Sequence, residues 1–214
     1  MQKHLPMMIL LTGIIYIFFI PAEPILIKIS FKIIPMLFII LYASQNLAQN
    51  KQKSSWFIIV GLVFCMLGDG LLIWFIIGLS AFLIGHLFYL IGFLAKFSFS
   101  WSRLPTLLPI SIYAVIMGSH LIYALQSHGD QSLIWPVLLY ITIISLMAWS
   151  AIMTGNGWAT WGSALFVISD SILAWNKFIA GITFSDELIM ITYYTAQFFM
   201  AKSLRVTPTT HREG

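Results

Sequence analysis

The chain reads as a succession of long apolar runs separated by short polar hinges, at roughly 5–20, 25–43, 56–73, 75–95, 104–125, 132–153, 160–175 and 188–204. A helix crosses the hydrocarbon layer in about 17 to 25 residues, so the pattern predicts eight transmembrane helices. The longest connection, Ser44 to Ser55, is too short to fold into a domain of its own. The first run follows Lys3 in the manner of a signal peptide, but Pro21-Ala22-Glu23-Pro24 makes a poor cleavage site, so the run is expected to remain as the first helix. The polar stretch after Leu204 is expected to be loose.

Inside this apolar pattern a carboxylate recurs. Gly68-Asp69-Gly70-Leu71-Leu72-Ile73-Trp74 lines up with Ser169-Asp170-Ser171-Ile172-Leu173-Ala174-Trp175, sharing small-Asp-small-aliphatic-Leu-x-Trp. The third and seventh helices are therefore expected to be equivalent. The chain then reads as one polytopic domain, 1–214, made of two parallel four-helix repeats, about 1–97 and 98–206, with 207–214 as a tail. The fold class is an all-α integral membrane protein. An ionisable group in hydrocarbon costs about 2.5 to 3.5 kcal/mol on insertion scales and faces a bundle interior or a wet cavity, so two at matching positions point to one shared site.

Composition acts mainly by exclusion. With 60% hydrophobic residues, 8% charged residues and a mean hydropathy of +0.94, no soluble reading survives. The formal net charge is +4, yet the eleven Lys and Arg stand scattered between apolar runs and form no basic patch, which removes nucleic acid as a partner. They set orientation instead. With a cytoplasmic N-terminus, Lys3, Lys51, Lys53, Lys96, Arg103, Lys202, Arg205 and Arg212 fall on the cytoplasmic side and Lys177 alone on the other. Both termini are then cytoplasmic, and the expected setting is a bacterial inner membrane. Lys28 and Lys32 remain within the second helix. The lone Cys65 permits no internal disulfide or Cys-based zinc site and reads as a buried small hydrophobe.

Helical rise gives the depth of the polar groups. Asp69 lies about 6 Å below the far-side end of its helix, Asp170 about 8 Å and Lys32 about 10 Å, at 1.5 Å per residue. A cation thus reaches the level of two anions. Lys32 can neutralise one carboxylate and not two, so one Asp is expected to be ionised and the other to hold a proton, the division that separates acid from base roles. The bland alternative is an Asp–Lys pair that only fixes helix register.

Other residues carry two readings each. His86, in Gly85-His86-Leu87-Phe88-Tyr89, either relays protons or makes an interhelical hydrogen bond, and Tyr89 shares its face. Tyr193 and Tyr194 either line the site or pack as rings, with Gln197 on the Tyr193 face. Asn176 either supports the site or caps its helix. No Gly-x-Ser-x-Gly, His-Glu-x-x-His or His-x-x-x-His is present, and His4, His120, His128 and His211 are widely separated. Neither a serine nucleophile nor a metal is expected, and no cofactor is called for.

Taken together, Lys32-Ile33-Ile34-Pro35, Leu67-Gly68-Asp69, Gly85-His86-Leu87-Phe88-Tyr89, Ser169-Asp170-Ser171 and Thr192-Tyr193-Tyr194 resemble the YhhN/TMEM86 family of membrane lysoplasmalogenases in order and spacing. Here Pro35 follows Lys32 by three residues, where many bacterial members read Lys-Pro. The resemblance implies eight helices and hydrolysis of the vinyl-ether bond of lysoplasmalogens, giving a fatty aldehyde and glycerophosphoethanolamine or glycerophosphocholine. It also implies a lysophospholipid substrate, with Asp69 and Asp170 catalytic. That chemistry suits two carboxyl groups, because a vinyl ether is opened by protonating its outer alkene carbon, and the resulting oxocarbenium ion is what paired carboxylates handle in glycosidases. Lys32 would then pair the ionised Asp or hold the lipid phosphate, while Tyr89 and Tyr193 line the channel or meet the head group. A proton-coupled transporter is the rival reading, since intramembrane Asp and Lys with an internal repeat also describe carriers. A purely structural membrane protein would leave the buried charges without a purpose.

Overall fold

The computed structural model describes residues 3–49 and 54–205, so Lys51, Lys53, Arg212, His211 and the tail 207–214 lie outside the described residues. Eight α-helices follow in order: α1 (Leu5–Phe19), α2 (Ile25–Gln49), α3 (Ser54–Leu71), α4 (Phe75–Leu94), α5 (Leu107–His128), α6 (Ile134–Met153), α7 (Gly157–Phe178) and α8 (Ser185–Lys202). No strand occurs among the described residues. Each helix falls on one of the apolar runs. The largest departure is α2, which continues to Gln49 and passes through Pro35 without breaking. Proline removes one ladder donor, and the turns on either side carry the helix across it.

By length and apolarity, α2 to α6 are long enough to cross a membrane, and α1 is a shorter apolar helix of 15 residues. The helices α7 and α8 are not in that set; they hold Asp170, Asn176 and Lys177, and Asp186 and Glu187. Many large apolar side chains face outward, among them Leu26, Val115, Trp135 and Phe19, as the hydrocarbon layer requires.

Consecutive helices run antiparallel, so polar loop groups gather at two ends. At one end the Lys96 ammonium donates to Ser55 Oγ at 3.0 Å, the Arg103 guanidinium to the Met153 carbonyl at 3.3 Å, and the Asn156 amide to the Ser203 carbonyl at 3.0 Å. At the other, Lys28 pairs with Asp186 at 3.4 Å. The most extensive helix contacts are α3 with α4 and α7 with α8. Glycine makes the first possible: a methyl group on Gly61 would lie 2.5 Å from the Tyr89 ring and 3.0 Å from the Gly85 carbonyl oxygen. A methyl on Gly162 would lie 3.1 Å from the Ala196 carbonyl oxygen. Small residues at such crossings let backbones approach in lipid, where dispersion rather than water drives association. The main core draws on α1 to α4 and α6 to α8, and a smaller one ties α5 and α6 to the end of α7.

Candidate active site

The two aspartates sit on α3 and α7, each with its own partners. Asp69 has a 2% exposed side chain, pairs with the Lys32 ammonium at 3.1 Å through Oδ1, and accepts from the Tyr193 hydroxyl at 2.7 Å through Oδ2. Lys32 is itself positioned by its backbone, because the Tyr194 hydroxyl donates to the Lys32 carbonyl at 2.8 Å. Three helices therefore converge on one carboxylate: α2 brings the cation, α3 the anion and α8 the phenol.

Asp170 is held differently. The Tyr140 hydroxyl of α6 donates to its Oδ2 at 2.5 Å, and His86 Nε2 of α4 faces the same oxygen at 3.7 Å. His86 Nδ1 lies 2.6 Å from the Phe82 carbonyl oxygen, which can only accept, so Nδ1 carries the hydrogen. Nε2 of a neutral ring is then a bare acceptor facing a carboxylate oxygen, and it has no other partner. At 3.7 Å they stand beyond direct hydrogen-bond reach, and a proton on either would make it the donor as they close. The His86–Asp170 pair thus has room for one proton, on the acid or on the ring, with Tyr140 donating from the other side.

Between the two carboxylates stands a wall of rings. Phe166, fully buried, meets His86 edge-on at 4.5 Å between centroids and Tyr193 at 5.5 Å, and Phe82 meets Tyr193 at 5.9 Å. Behind it lies a second polar cluster, where the Tyr89 hydroxyl donates to Gln197 Oε1 at 2.6 Å.

Each aspartate lines a different cavity. Asp69 and Lys32 lie on a cavity of about 450 Å³ that also meets Tyr16, Lys28, Asp186 and Glu187. Asp170 lies on a cleft of about 40 Å³ with Tyr113, Tyr140 and Ser171 and an otherwise apolar wall. Leu173, one turn beyond Asp170 on α7, lines both. A lipid-facing groove of about 350 Å³ between α1 and α8 shares Ile17 with the Asp69 cavity. Among the described residues, no group of three or more His, Cys, Asp or Glu is placed to hold a metal.

The YhhN family pattern matches residues 27–204, which covers both aspartates, Lys32, His86 and Tyr193. The chain belongs to the YhhN family. It is similar to mouse lysoplasmalogenase TMEM86B, 30% identical over 212 residues, covering 97% of this chain and 88% of that protein. It is 36% identical over 151 residues to human lysoplasmalogenase TMEM86B, covering 69% of this chain and 62% of that one. Human lysoplasmalogenase TMEM86A is 31% identical over 170 residues, covering 68% and 64%. No solved structure matches the chain. Family membership and the run of apolar helices make this a multi-pass membrane protein.

Within this YhhN member the expected residues fall into three groups. Lys32, Asp69 and Tyr193 form one cluster and His86 and Asp170 the other, while Tyr194 acts on Lys32 from outside. Tyr89 faces Gln197 and touches neither carboxylate in the contacts above. Asn176 holds the α7–α8 turn, its Oδ1 accepting from the Ile182 amide at 2.8 Å. Sequence reasoning missed Tyr140 and Tyr113, because a tyrosine within an apolar run carries no pattern of its own. It also left Lys28, Asp186 and Glu187 out of the site, although Lys28 stands one helical turn from Lys32, a spacing that puts both on one face of α2.

Proposed function

We propose that this YhhN-family chain is a lysoplasmalogenase that opens the vinyl ether of a lysoplasmalogen by two-aspartate acid–base chemistry. The reading is carried by one arrangement: a carboxylate with its own cation and a second carboxyl facing an imidazole, on two cavities that share Leu173 in their linings. The activity comes from the likeness to the named lysoplasmalogenases, and the chain is an ether-cleaving hydrolase.

In this scheme the lysolipid enters from the bilayer along the α1–α8 groove and places its vinyl ether beside Leu173, with its first alkyl carbons toward the apolar cleft. The Asp170–His86 pair gives its proton to the outer alkene carbon, the C=C bond becomes C–H, and the inner carbon becomes an oxocarbenium ion. Asp69, kept anionic by Lys32, steadies that cation and accepts a proton from the attacking water. The hemiacetal collapses as its hydroxyl proton passes to the Asp170–His86 pair and the departing glycerol oxygen takes the proton held by Asp69, which restores both groups and releases fatty aldehyde and glycerophosphoethanolamine or glycerophosphocholine. Tyr140 fixes which lone pair of Asp170 remains free.

The repeat is part of the same reading. Gly61 and Gly162 each stand eight residues before an aspartate and each face the last helix of their half. The contacts of α4 with α6 and of α2 with α8 exchange under a two-fold relation between halves. The apolar runs support eight crossings, the Lys and Arg bias supports both termini being cytoplasmic, and a bacterial inner membrane is the proposed setting. The transporter reading loses ground because α3 runs helical through Gly68-Asp69-Gly70 and α7 through Ser169-Asp170-Ser171, whereas carriers often break their helices at the ion site. Detergent-solubilised protein is expected to release fatty aldehyde from a 1-alkenyl lysolipid and none from its saturated 1-alkyl analogue, since protonation needs the double bond. Equal turnover of both, or ion flux in liposomes without hydrolysis, overturns the proposal.

A further inference from the structure

The Asp69 cavity carries more charge than the reaction uses. Along α2, Lys28 stands above Lys32 by about 6 Å, one turn at 1.5 Å per residue. At the mouth Lys28 pairs with Asp186 at 3.4 Å, their side chains 31% and 75% exposed, and Glu187 follows on the first turn of α8. From the bulk inward the order is carboxylates, Lys28, Lys32, Asp69. The lining therefore holds two ammonium groups and three carboxylates, a formal excess of one negative charge.

We propose that Lys28, Asp186 and Glu187 form a head-group subsite for a phosphoethanolamine zwitterion, and that they favour ethanolamine over choline. This rests on the lysoplasmalogenase reading of the same cavity. The zwitterion enters by exchange: its phosphate takes Lys28 from Asp186, and its ammonium sits between Asp186 and Glu187, so every charge keeps an opposite neighbour and the formal excess of one negative charge is unchanged. The one-turn offset between Lys28 and Lys32 matches the three-carbon glycerol that separates phosphate from vinyl ether, which sets the ether at the level of Asp69. A purely anionic head group finds Lys28 but leaves the carboxylates facing its negative charge. The preference between the two zwitterions follows from what each cation needs. An ethanolamine ammonium has three N–H donors, and the two carboxylates accept them. A quaternary choline has none and is held by aromatic cages, whereas Tyr16 is the one aromatic residue among those lining this cavity.

The test uses purified full-length protein in detergent. One measurement is kcat/KM for aldehyde release from 1-alkenyl lysophosphoethanolamine and from its choline counterpart. The other is direct binding of the two uncleavable 1-alkyl analogues. Wild type is expected to prefer ethanolamine by about fivefold or more in both, the scale of a partly exposed charge contact. Asp186→Asn with Glu187→Gln should bring that ratio close to one, and Asp186→Glu should keep it. Lys28→Met removes the phosphate partner common to both head groups, and it should weaken both by about the same factor. Equal handling of the two head groups by wild type, a preference that survives the double substitution, or a Lys28→Met effect confined to one head group would each overturn the subsite. Absence of aldehyde with an intact ethanolamine preference in binding would overturn the hydrolase reading and leave the subsite standing.

Discussion

Replacing Lys32 by Met should leave Asp69 as a buried carboxylate with the Tyr193 hydroxyl as its main support. At 3.1 Å and an effective dielectric of about 20, the Lys32–Asp69 attraction amounts to about 5 kcal/mol, and it offsets the desolvation of two side chains only 13% and 2% exposed. Removing one partner of a buried pair costs about 3 to 5 kcal/mol, because the other stays desolvated, while neutralising both removes the penalty along with the attraction. Lys32→Met alone is therefore expected to destabilise by about 3 kcal/mol. In a chain of this size that lowers Tm by about 6 to 12 °C. Lys32→Met combined with Asp69→Asn should recover to within about 1 kcal/mol of wild type, since Asn keeps an acceptor for Tyr193. Thermal unfolding in one detergent, read by near-ultraviolet circular dichroism on the four proteins of the cycle, gives the coupling directly. Additive losses, or a Lys32→Met variant as stable as wild type, would show that the pair is not the electrostatic unit described here.

Asp69→Asn and Asp170→Asn should each lower aldehyde release about 100-fold or more while leaving extractable protein, and the double variant should lose little beyond either alone, as residues acting as a unit do; independent, multiplicative losses would separate the two groups. Gly61→Ala should destabilise by about 1 to 3 kcal/mol, since its methyl would lie 2.5 Å from the Tyr89 ring and 3.0 Å from backbone of α4; an unchanged Tm would refute the close α3–α4 crossing. EDTA should leave activity intact, and loss on chelation that zinc restores would reassign His86 as a ligand.

How much of this was legible in the sequence depended on how strongly each feature departs from an apolar background. Helix positions were readable because the hinges interrupt long runs, and they hold within a few residues except at α2. There Asn46 and Leu47 bury against the core beyond the expected end at residue 43, and tertiary packing extends the helix past its apolar stretch. The aspartates and Lys32 were readable because charge in hydrocarbon is costly. What the depth arithmetic lacked was azimuth. Equal depth placed Lys32, Asp69 and Asp170 at one level, but which carboxylate meets the cation depends on helix rotation, and that is set by glycine contacts such as Gly61 on Gly85 and Gly162 on Ala196.

On the proposed repeat, the same rotation gives the two matching aspartates unlike surroundings. A duplicated pair starts with identical partners, and two identical carboxyl groups cannot divide acid from base work. Here the first half supplies a lysine on its second helix, and the corresponding helix of the second half supplies Tyr140. The last helix of each half then crosses over: Tyr193 of α8 donates to Asp69, and His86 of α4 faces Asp170. Each carboxylate accepts from one phenol, but the second partner is an ammonium at 3.1 Å for Asp69 and an imidazole nitrogen at 3.7 Å for Asp170. Phe166 and Phe82 stand among these groups, and dry rings keep the difference from being screened by water. On the proposed mechanism, unlike partners around two matching aspartates are what divide the acid from the base.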